Sequence, residues 1–345
     1  MAGEFAWRDV LAPLLRREDL PEAVARTAAD EIMAGRATPA QMGAFLAALR
    51  AKGETAEEMA GMARSLLDHA LVVDVEGPVV DTCGTGGDGS GTFNISTVAA
   101  LVAAGAGARV AKHGNRSASS KCGSADVLEA LGVAIDLPPD AARRCLDDCG
   151  ITFLYARTYH PAMRHVAPVR SELGVPTVFN ILGPLCNPAR ATRRAHGVAD
   201  PTLARRMVDV LARLGVEFGF LFYGEDGLDE LTPCGTSYIY RLRDGEVTHA
   251  EFTPSYWGIT LADRADLQGG DVEENARIAL AVLDGERRDG ARSAVLMNAS
   301  AAIVAAGIAD GFSAGIEAAA HSIDSGAARQ RLDRLAARST ELAGE

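Results

Sequence analysis

The chain has 345 residues, of which 48% are hydrophobic and 23% charged, and its formal net charge is −12. That length accommodates two domains, or one large domain with an appendage, and the acidic balance argues against a nucleic-acid partner, which needs a basic surface. A small anionic substrate stays open, because a local cluster of lysine and arginine focuses a positive field inside an acidic protein.

Residues 1–72 read as helices only, a small all-helical N-terminal domain. Met1 to Asp9 has no apolar core of the signal-peptide kind. No run in the chain reaches the ~18 uninterrupted apolar residues of a membrane span, so no membrane partner and a cytoplasmic location are expected. Thr38-Pro39 places a cap before proline at the first helical position. Met42, Phe45, Leu46 and Leu49 follow at the spacing of one helix face. Thr55-Ala56-Glu57-Glu58 is a capping box that opens another helix through Leu67.

From residue 73 to 345 the pattern changes to short apolar or β-branched runs alternating with alanine-rich helical stretches. Val79-Val80 leads into a glycine-rich loop, Val98–Ala106 is helical, Ala108–Ala111 is a strand and Ala125–Leu131 a helix. Cys145 and Cys149 stand four apart and read as small apolar residues of one buried helix face. With Cys83, Cys122, Cys186 and Cys234 they form no CxxC pair and no cluster of zinc spacing. Leu203–Leu214 is a helix and Phe218–Tyr223 a strand, and the tail from Ser300 to Ala343 is helical. This alternation predicts the α/β class, a large domain with a mainly parallel central sheet flanked by helices. Pro161 to Pro188 breaks the alternation. It reads as a crossing between domains, with about 163–190 packing on the helical part.

The chemistry begins at Asp81-Thr82-Cys83-Gly84-Thr85-Gly86-Gly87-Asp88-Gly89, between a strand and a helix. Backbone N–H groups and a helix N-terminus form an anion site at such a place. Gly84, Gly86 and Gly89 also satisfy the GxGxxG pattern of dinucleotide sites. That reading fails because the next strand ends in Lys112 rather than in an acidic residue for a ribose hydroxyl. Asp88 would also set a negative charge beside the pyrophosphate, which needs a metal between them. Asn94-Ile95-Ser96-Thr97 follows, with hydroxyl and amide groups suited to phosphate or hydrated magnesium. Lys112 to Lys121 then supplies three cations, four hydroxyl or amide side chains and a glycine in ten residues, a composition suited to a second phosphate group.

With these motifs on view, the resemblance is specific. Gly84-Thr85-Gly86-Gly87-Asp88, Asn94-Ile95-Ser96-Thr97 and Lys112-His113-Gly114-Asn115-Arg116 with Ser119-Ser120 closely resemble the anthranilate phosphoribosyltransferases of tryptophan biosynthesis. Ala125 to Gly132, His160-Pro161-Ala162-Met163-Arg164-His165, Leu182-Gly183-Pro184-Leu185 and Asp226-Gly227-Leu228-Asp229-Glu230 extend it over nearly the whole chain. The resemblance implies Mg2+-dependent transfer of phosphoribosyl from phosphoribosyl pyrophosphate to an aromatic amine, anthranilate being favoured. It implies donor contacts from Gly84, Gly87, Asp88, Thr92, Asn94, Ile95, Ser96, Thr97, Lys112, His113, Gly114, Asn115, Arg116, Ser117, Ala118, Ser119, Ser120 and Ser124. It implies magnesium at Ser96, Asp229 and Glu230, the acceptor at Gly84, Asn115, His160 and Arg170, and catalytic parts for Lys112, His113 and Asn115. It also implies a homodimer joined through the helical domain, with the active site at the hinge.

The residues themselves are compatible with this chemistry. Alone, Asp229-Glu230 reads as a solvent-exposed loop; beside two phosphate-suited loops it reads as a ligand pair for a hard cation. An aniline-type amine is neutral near pH 7, so rate is expected from orientation and from stabilising the leaving charge, with His113 positioning rather than titrating. Arg170 suits a carboxylate through its planar fork, with a structural salt bridge as the competing reading. Arg157 stands where family members often carry proline, and it puts the acceptor in doubt. The alternatives are a paralogue acting on another aromatic acid or amine, a pyrimidine nucleoside phosphorylase, and a non-catalytic nucleic-acid-binding relative.

Overall fold

A computed structural model describes residues 5–117 and 121–345. Both marked helix starts are capped as their residues dictate. Thr38 and Gln41 exchange hydrogen bonds at the head of the helix Pro39–Lys52, which buries Met42, Phe45, Leu46 and Leu49. Thr55 and Glu58 do the same for the helix Ala56–Asp68. Glu58 also accepts the Leu20 N–H and holds Lys52 Nζ, each at 2.9 Å, so one buried carboxylate joins cap, helix and preceding turn. Helices Trp7–Leu15 and Glu22–Met33 complete this layer.

The crossing segment contains a 3-10 turn at Pro161–His165 and helices Ala167–Leu173 and Phe179–Leu185. Its Val166, Val169, Leu182 and Leu185 share one apolar cluster with Val10, Phe45 and Met62 of the N-terminal helices, and with Met207 and Leu211. Burial of such side chains, at ~25 cal/mol per Å2 of apolar area, binds two distant pieces of chain into one layer.

Seven strands form the sheet: β1 Val80–Gly84, β2 Val110–Gly114, β3 Ile151–Tyr155, β4 Arg193–Gly197, β5 Phe218–Gly224, β6 Ser237–Arg243 and β7 Glu246–Phe252. Their order is β3-β2-β1-β4-β5-β6-β7. The first five in that order run parallel, and β6 and β7 add an antiparallel hairpin at one edge. The helix Ile95–Gly105, buried along most of its length, links β1 to β2, and Pro201–Arg213 links β4 to β5. The tail folds into helices Gly290–Ala305, Phe312–Asp324 and Ala327–Ala343, which join the larger apolar core. Cys145 and Cys149 are buried on the helix Pro139–Cys149. No helix of the described residues is long and apolar enough to cross a membrane.

The expected glycine loop opened at Asp81, but β1 continues through Gly84 and buries Asp81, Thr82 and Cys83. The reason is charge compensation across the ladder. Asp81 stands opposite Arg194 of β4, accepts Arg194 Nη1 at 2.7 Å and takes the His113 N–H at 3.0 Å. Against burial, which alone would raise it, His196 and Arg194 hold the Asp81 carboxyl below the usual range. The strand order reverses between β1 and β4, so a crevice opens at their C-terminal ends, the usual ligand position in such sheets.

Candidate active site

The loop after β5 returns across that crevice and sets Asp229 over the ends of both strands. A Cβ on Gly84 would stand 2.3 Å from Asp229 Oδ2, and one on Gly197 would stand 1.6 Å from Asp229 O. Only glycine at both positions lets the carboxylate in. Asp229 Oδ2 accepts the Gly86 N–H at 2.7 Å, and Glu230 Oε1 accepts the Ser96 N–H at 3.1 Å. The acidic pair is thereby tied to the first loop and to the N-terminal turn of Ile95–Gly105.

Burial pushes the Asp229 carboxyl up to about 7, and Asp88 beside it adds to the rise. Burial and then Asp229 push Glu230 well above the usual carboxylate range. One Asp88 oxygen accepts the Ser90 N–H at 3.0 Å, while Oδ2 is buried without a hydrogen-bond partner. Lys112 is the buried cation of this cluster: its Nζ donates to Thr82 O and approaches Ser96 Oγ at 3.5 Å. A buried unpartnered oxygen costs ~1–3 kcal/mol. Three crowded carboxylates and a hydroxyl form an all-oxygen donor set, which fits a hard divalent cation such as magnesium. Asp81, Cys83 and His196 also converge, but Arg194 already neutralises Asp81 there, and a cation would meet a guanidinium.

The first loop turns through Gly86 and Gly87 and is closed by Gln268, whose Nε2 donates to Gly91 O at 2.7 Å; Thr92 bridges to the same residue. Asn94 spends its side chain on Cys122 O at 3.2 Å and on Asn275 at 3.1 Å. Ile95 faces the core, and buried Thr97 has an unpartnered hydroxyl. At the end of β2, Lys112, His113 and Gly114 lead into Asn115, Arg116 and Ser117. Arg116 gives its guanidinium to Asp126 at 2.8 Å and Glu129 at 2.9 Å. Asp126 also accepts the Ser117 and Gly123 N–H groups, and Ser124 Oγ donates to Asn115 O at 3.3 Å. Ala118, Ser119 and Ser120 lie outside the described residues.

On the side of the crossing segment, the His113 and His160 rings lie 5.2 Å apart. Burial, with His160 adding to it, pulls His113 down to about 3, and burial pulls His160 down to about 4. Both imidazoles are therefore neutral at pH 7. His160 Nε2 sits 3.0 Å from Cys186 O, while His113 Nε2 is buried and unpartnered. Arg170 donates to Asn180 Oδ1 at 3.2 Å and lies over the Phe179 ring. No carboxylate pairs with it among the described residues, which removes the structural salt bridge as its explanation. Arg157, just past β3, is exposed and unpaired among the described residues.

Several contributors carry no local signal. Gly197 follows Arg-Arg-Ala-His, a sequence unlike a buried strand, and Gln268 lies 177 residues from the loop it closes. Asn275 likewise acts through a distant contact.

The chain matches the family model described as the glycosyl transferase family, a/b domain, over residues 76–329, and its helical bundle domain over residues 8–70. It is 51% identical over 329 residues to the anthranilate phosphoribosyltransferase of Roseiflexus castenholzii, covering 95% of this chain and 97% of that protein. The crystal structure of the Thermus thermophilus anthranilate phosphoribosyltransferase superposes with a TM-score of 0.91 at 42% identity, covering 96% of this chain and 99% of that one. The Saccharomyces cerevisiae enzyme, in complex with PRPP and Mg, gives 0.89 at 29% identity, covering 97% and 98%. The same yeast enzyme has also been solved with 4-fluoroanthranilate, at 28% identity and a TM-score of 0.86 over 97% and 98% of the two chains.

Proposed function

The chain belongs to the glycosyl transferase family, among its anthranilate phosphoribosyltransferases, and on that premise we propose how its residues move phosphoribosyl from phosphoribosyl pyrophosphate to the amine of anthranilate, giving N-(5-phosphoribosyl)anthranilate and pyrophosphate. The observation that carries the proposal is the placement of Asp88, Asp229 and Glu230 over the crevice, hydrogen-bonded to the first loop and to the turn at Ser96. Ser96, Asp229 and Glu230 would hold magnesium, with the unpartnered Asp88 oxygen beside them. When bound, the ion supplies neutralisation of the pyrophosphate leaving charge.

The protein's own groups do the rest. The Gly87 N–H receives donor phosphate, with Thr92, Ser96 and Thr97 as hydroxyl partners, since the N–H groups of Thr85, Gly86, Ile95, Ser96 and Thr97 already serve other acceptors. Lys112 holds one buried positive charge near the departing pyrophosphate. The segment from His113 through Ser117, with Ser124 beneath it, wraps the remaining phosphate and ribose. Arg170 takes the anthranilate carboxylate, and Asn115 and His160 border the ring. Neutral His113 positions the acceptor through its free ring nitrogen, because the aniline nitrogen needs no prior deprotonation. Orientation and leaving-group electrostatics then carry the rate.

The experiment is turnover with anthranilate, followed by loss of its fluorescence, with and without magnesium. Magnesium-dependent consumption is expected; tight donor binding with no anthranilate consumption would sink the acceptor assignment. A second reading, another aromatic acid as acceptor, draws on exposed Arg157 past β3, unpaired among the described residues. A panel of acceptors competing for one donor separates the two.

The same proposal divides the chain at 72/73, with 163–190 counted with the helical layer. It pairs two copies through that layer, where Leu15 is 76% exposed. It also sets the enzyme in the cytoplasm, a reducing compartment in keeping with six free cysteines.

A further inference from the structure

At the opposite end of the sheet from the crevice, a cavity of about 180 Å3 lies where the helical layer meets the strands. Arg26, Arg64 and Asp68 line it from the N-terminal helices, and Arg190, Thr192 and Arg194 line it from the segment that enters and begins β4. A second cavity, of about 210 Å3, shares Arg190 and Thr192 and runs along residues 72–79. Arg190 therefore borders two of the chain connections between the layers, the one at 72–79 and the one that enters β4.

The charges here do not balance. Asp68 serves two guanidiniums, Arg26 at 2.6 Å and Arg190 at 3.9 Å. Glu22 serves two more, Arg64 at 2.8 Å and Arg213 at 3.4 Å. Arg194 has Asp81, yet its Nε is buried without a hydrogen-bond partner. Five guanidiniums thus share three carboxylates, an excess of two positive charges in a protein of net charge −12.

We propose that this cavity binds a phosphate dianion, free or carried by a small ester, between Arg26 and Arg64 on one side and Arg190 and Arg194 on the other. Planar guanidinium forks match phosphate oxygens in geometry and charge. A dianion cancels the excess, and the volume takes a phosphate group with a small substituent. Three residue steps of β4, from Arg194 in the cavity lining to Gly197, at ~3.3 Å each, separate this cavity from the crevice, so its occupant touches no reacting atom. The proposal does not depend on the donor or acceptor assignments.

The test is calorimetric titration of the whole protein with inorganic phosphate, the variant run in parallel so that any phosphate held outside this cavity, which the variant leaves intact, is subtracted. It is repeated with glycerol phosphate and with acetate. Arg190→Gly is the informative variant: Arg190 has φ +49, which glycine adopts without strain, so only the guanidinium is lost. Arg64→Gln is the second variant, should the first fail to fold. Binding of either phosphate form, weakened at least tenfold in the folded variant, is the expected result. Glycerol phosphate binding alone would identify an ester as the source, and binding of both would show that the group suffices. No binding of either form, unchanged affinity in the variant, or acetate binding as tightly as phosphate would overturn the proposal.

Discussion

Around Gly84 and Gly197 the crevice gathers three carboxylates, Asp88, Asp229 and Glu230, whereas around the crossing segment it gathers two neutral imidazoles and the guanidinium of Arg170. The first region crowds three carboxylates beside one buried lysine, and burial that raises Asp229 and Glu230 marks it as a set of oxygen donors suited to a cation. The second holds Arg170, which has no paired acid among the described residues, an arrangement suited to an anion. Asp229, Glu230, His113 and His160 are all buried. Desolvation raises the acids at one end and lowers the histidines at the other, which tunes the two ends for opposite ligands.

The largest effect that would test this contrast is at Asp229. Asp229→Asn keeps an acceptor for the Gly86 N–H but removes the charge, and kcat/KM should fall about a hundred- to a thousandfold. Anthranilate affinity measured by fluorescence should hold; a loss confined to anthranilate binding would break the division of labour. Next is Arg170→Ala. Loss of a charge-assisted hydrogen bond of ~1.5–3 kcal/mol should raise KM for anthranilate by about tenfold to a hundredfold and leave kcat nearly intact. Arg170→Lys should recover only part of this, because a point charge does not replace the fork.

A smaller change is expected at His113. With its imidazole pulled down to about 3, the ring is neutral at pH 7 and has no imidazolium proton to give. His113→Ala should cost less than about tenfold in kcat, and the wild-type pH–rate profile should show no histidine inflection near ~6.5. An inflection that vanishes in His113→Ala would make this residue a true acid or base. The smallest effect is thermal. Asp229, raised to about 7, lets the folded state bind more protons than the unfolded chain between the ordinary carboxylate range and pH 7. Stability without metal should therefore decline as pH rises through that window. Magnesium should raise Tm by a few degrees at pH 8 and by less at pH 6, where protons compete; an equal or reversed shift would remove the carboxylates from the metal site.

The fold was most legible where local rules act alone. Thr38 with Gln41 and Thr55 with Glu58 are capping boxes in sequence and in structure, because cap and partner lie three residues apart. The strand Phe218–Tyr223 and the helix after Asn94 were readable for the same reason, by period and composition. β4 was not. Arg-Arg-Ala-His-Gly does not look like a central strand, and it becomes one because Asp81 on the neighbouring strand neutralises Arg194. The hairpin of β6 and β7 was missed as well, its alternation being diluted by exposed polar residues.

The sequence by itself determined the reaction class. The loops Gly84 to Asp88, Asn94 to Thr97 and Lys112 to Arg116 each carry their chemistry within a few consecutive residues, and backbone groups plus adjacent side chains suffice to recognise phosphate. Only the tertiary structure decided how the site closes. Asp229 and Glu230 reach the first loop and Ser96 across 143 and 134 residues, through glycines at the ends of two strands. Such contacts depend on strand order and register, which no local pattern encodes. It was likewise the folded surroundings, and not the residue type, that left Arg170 without an acid among the described residues and made the two histidines neutral.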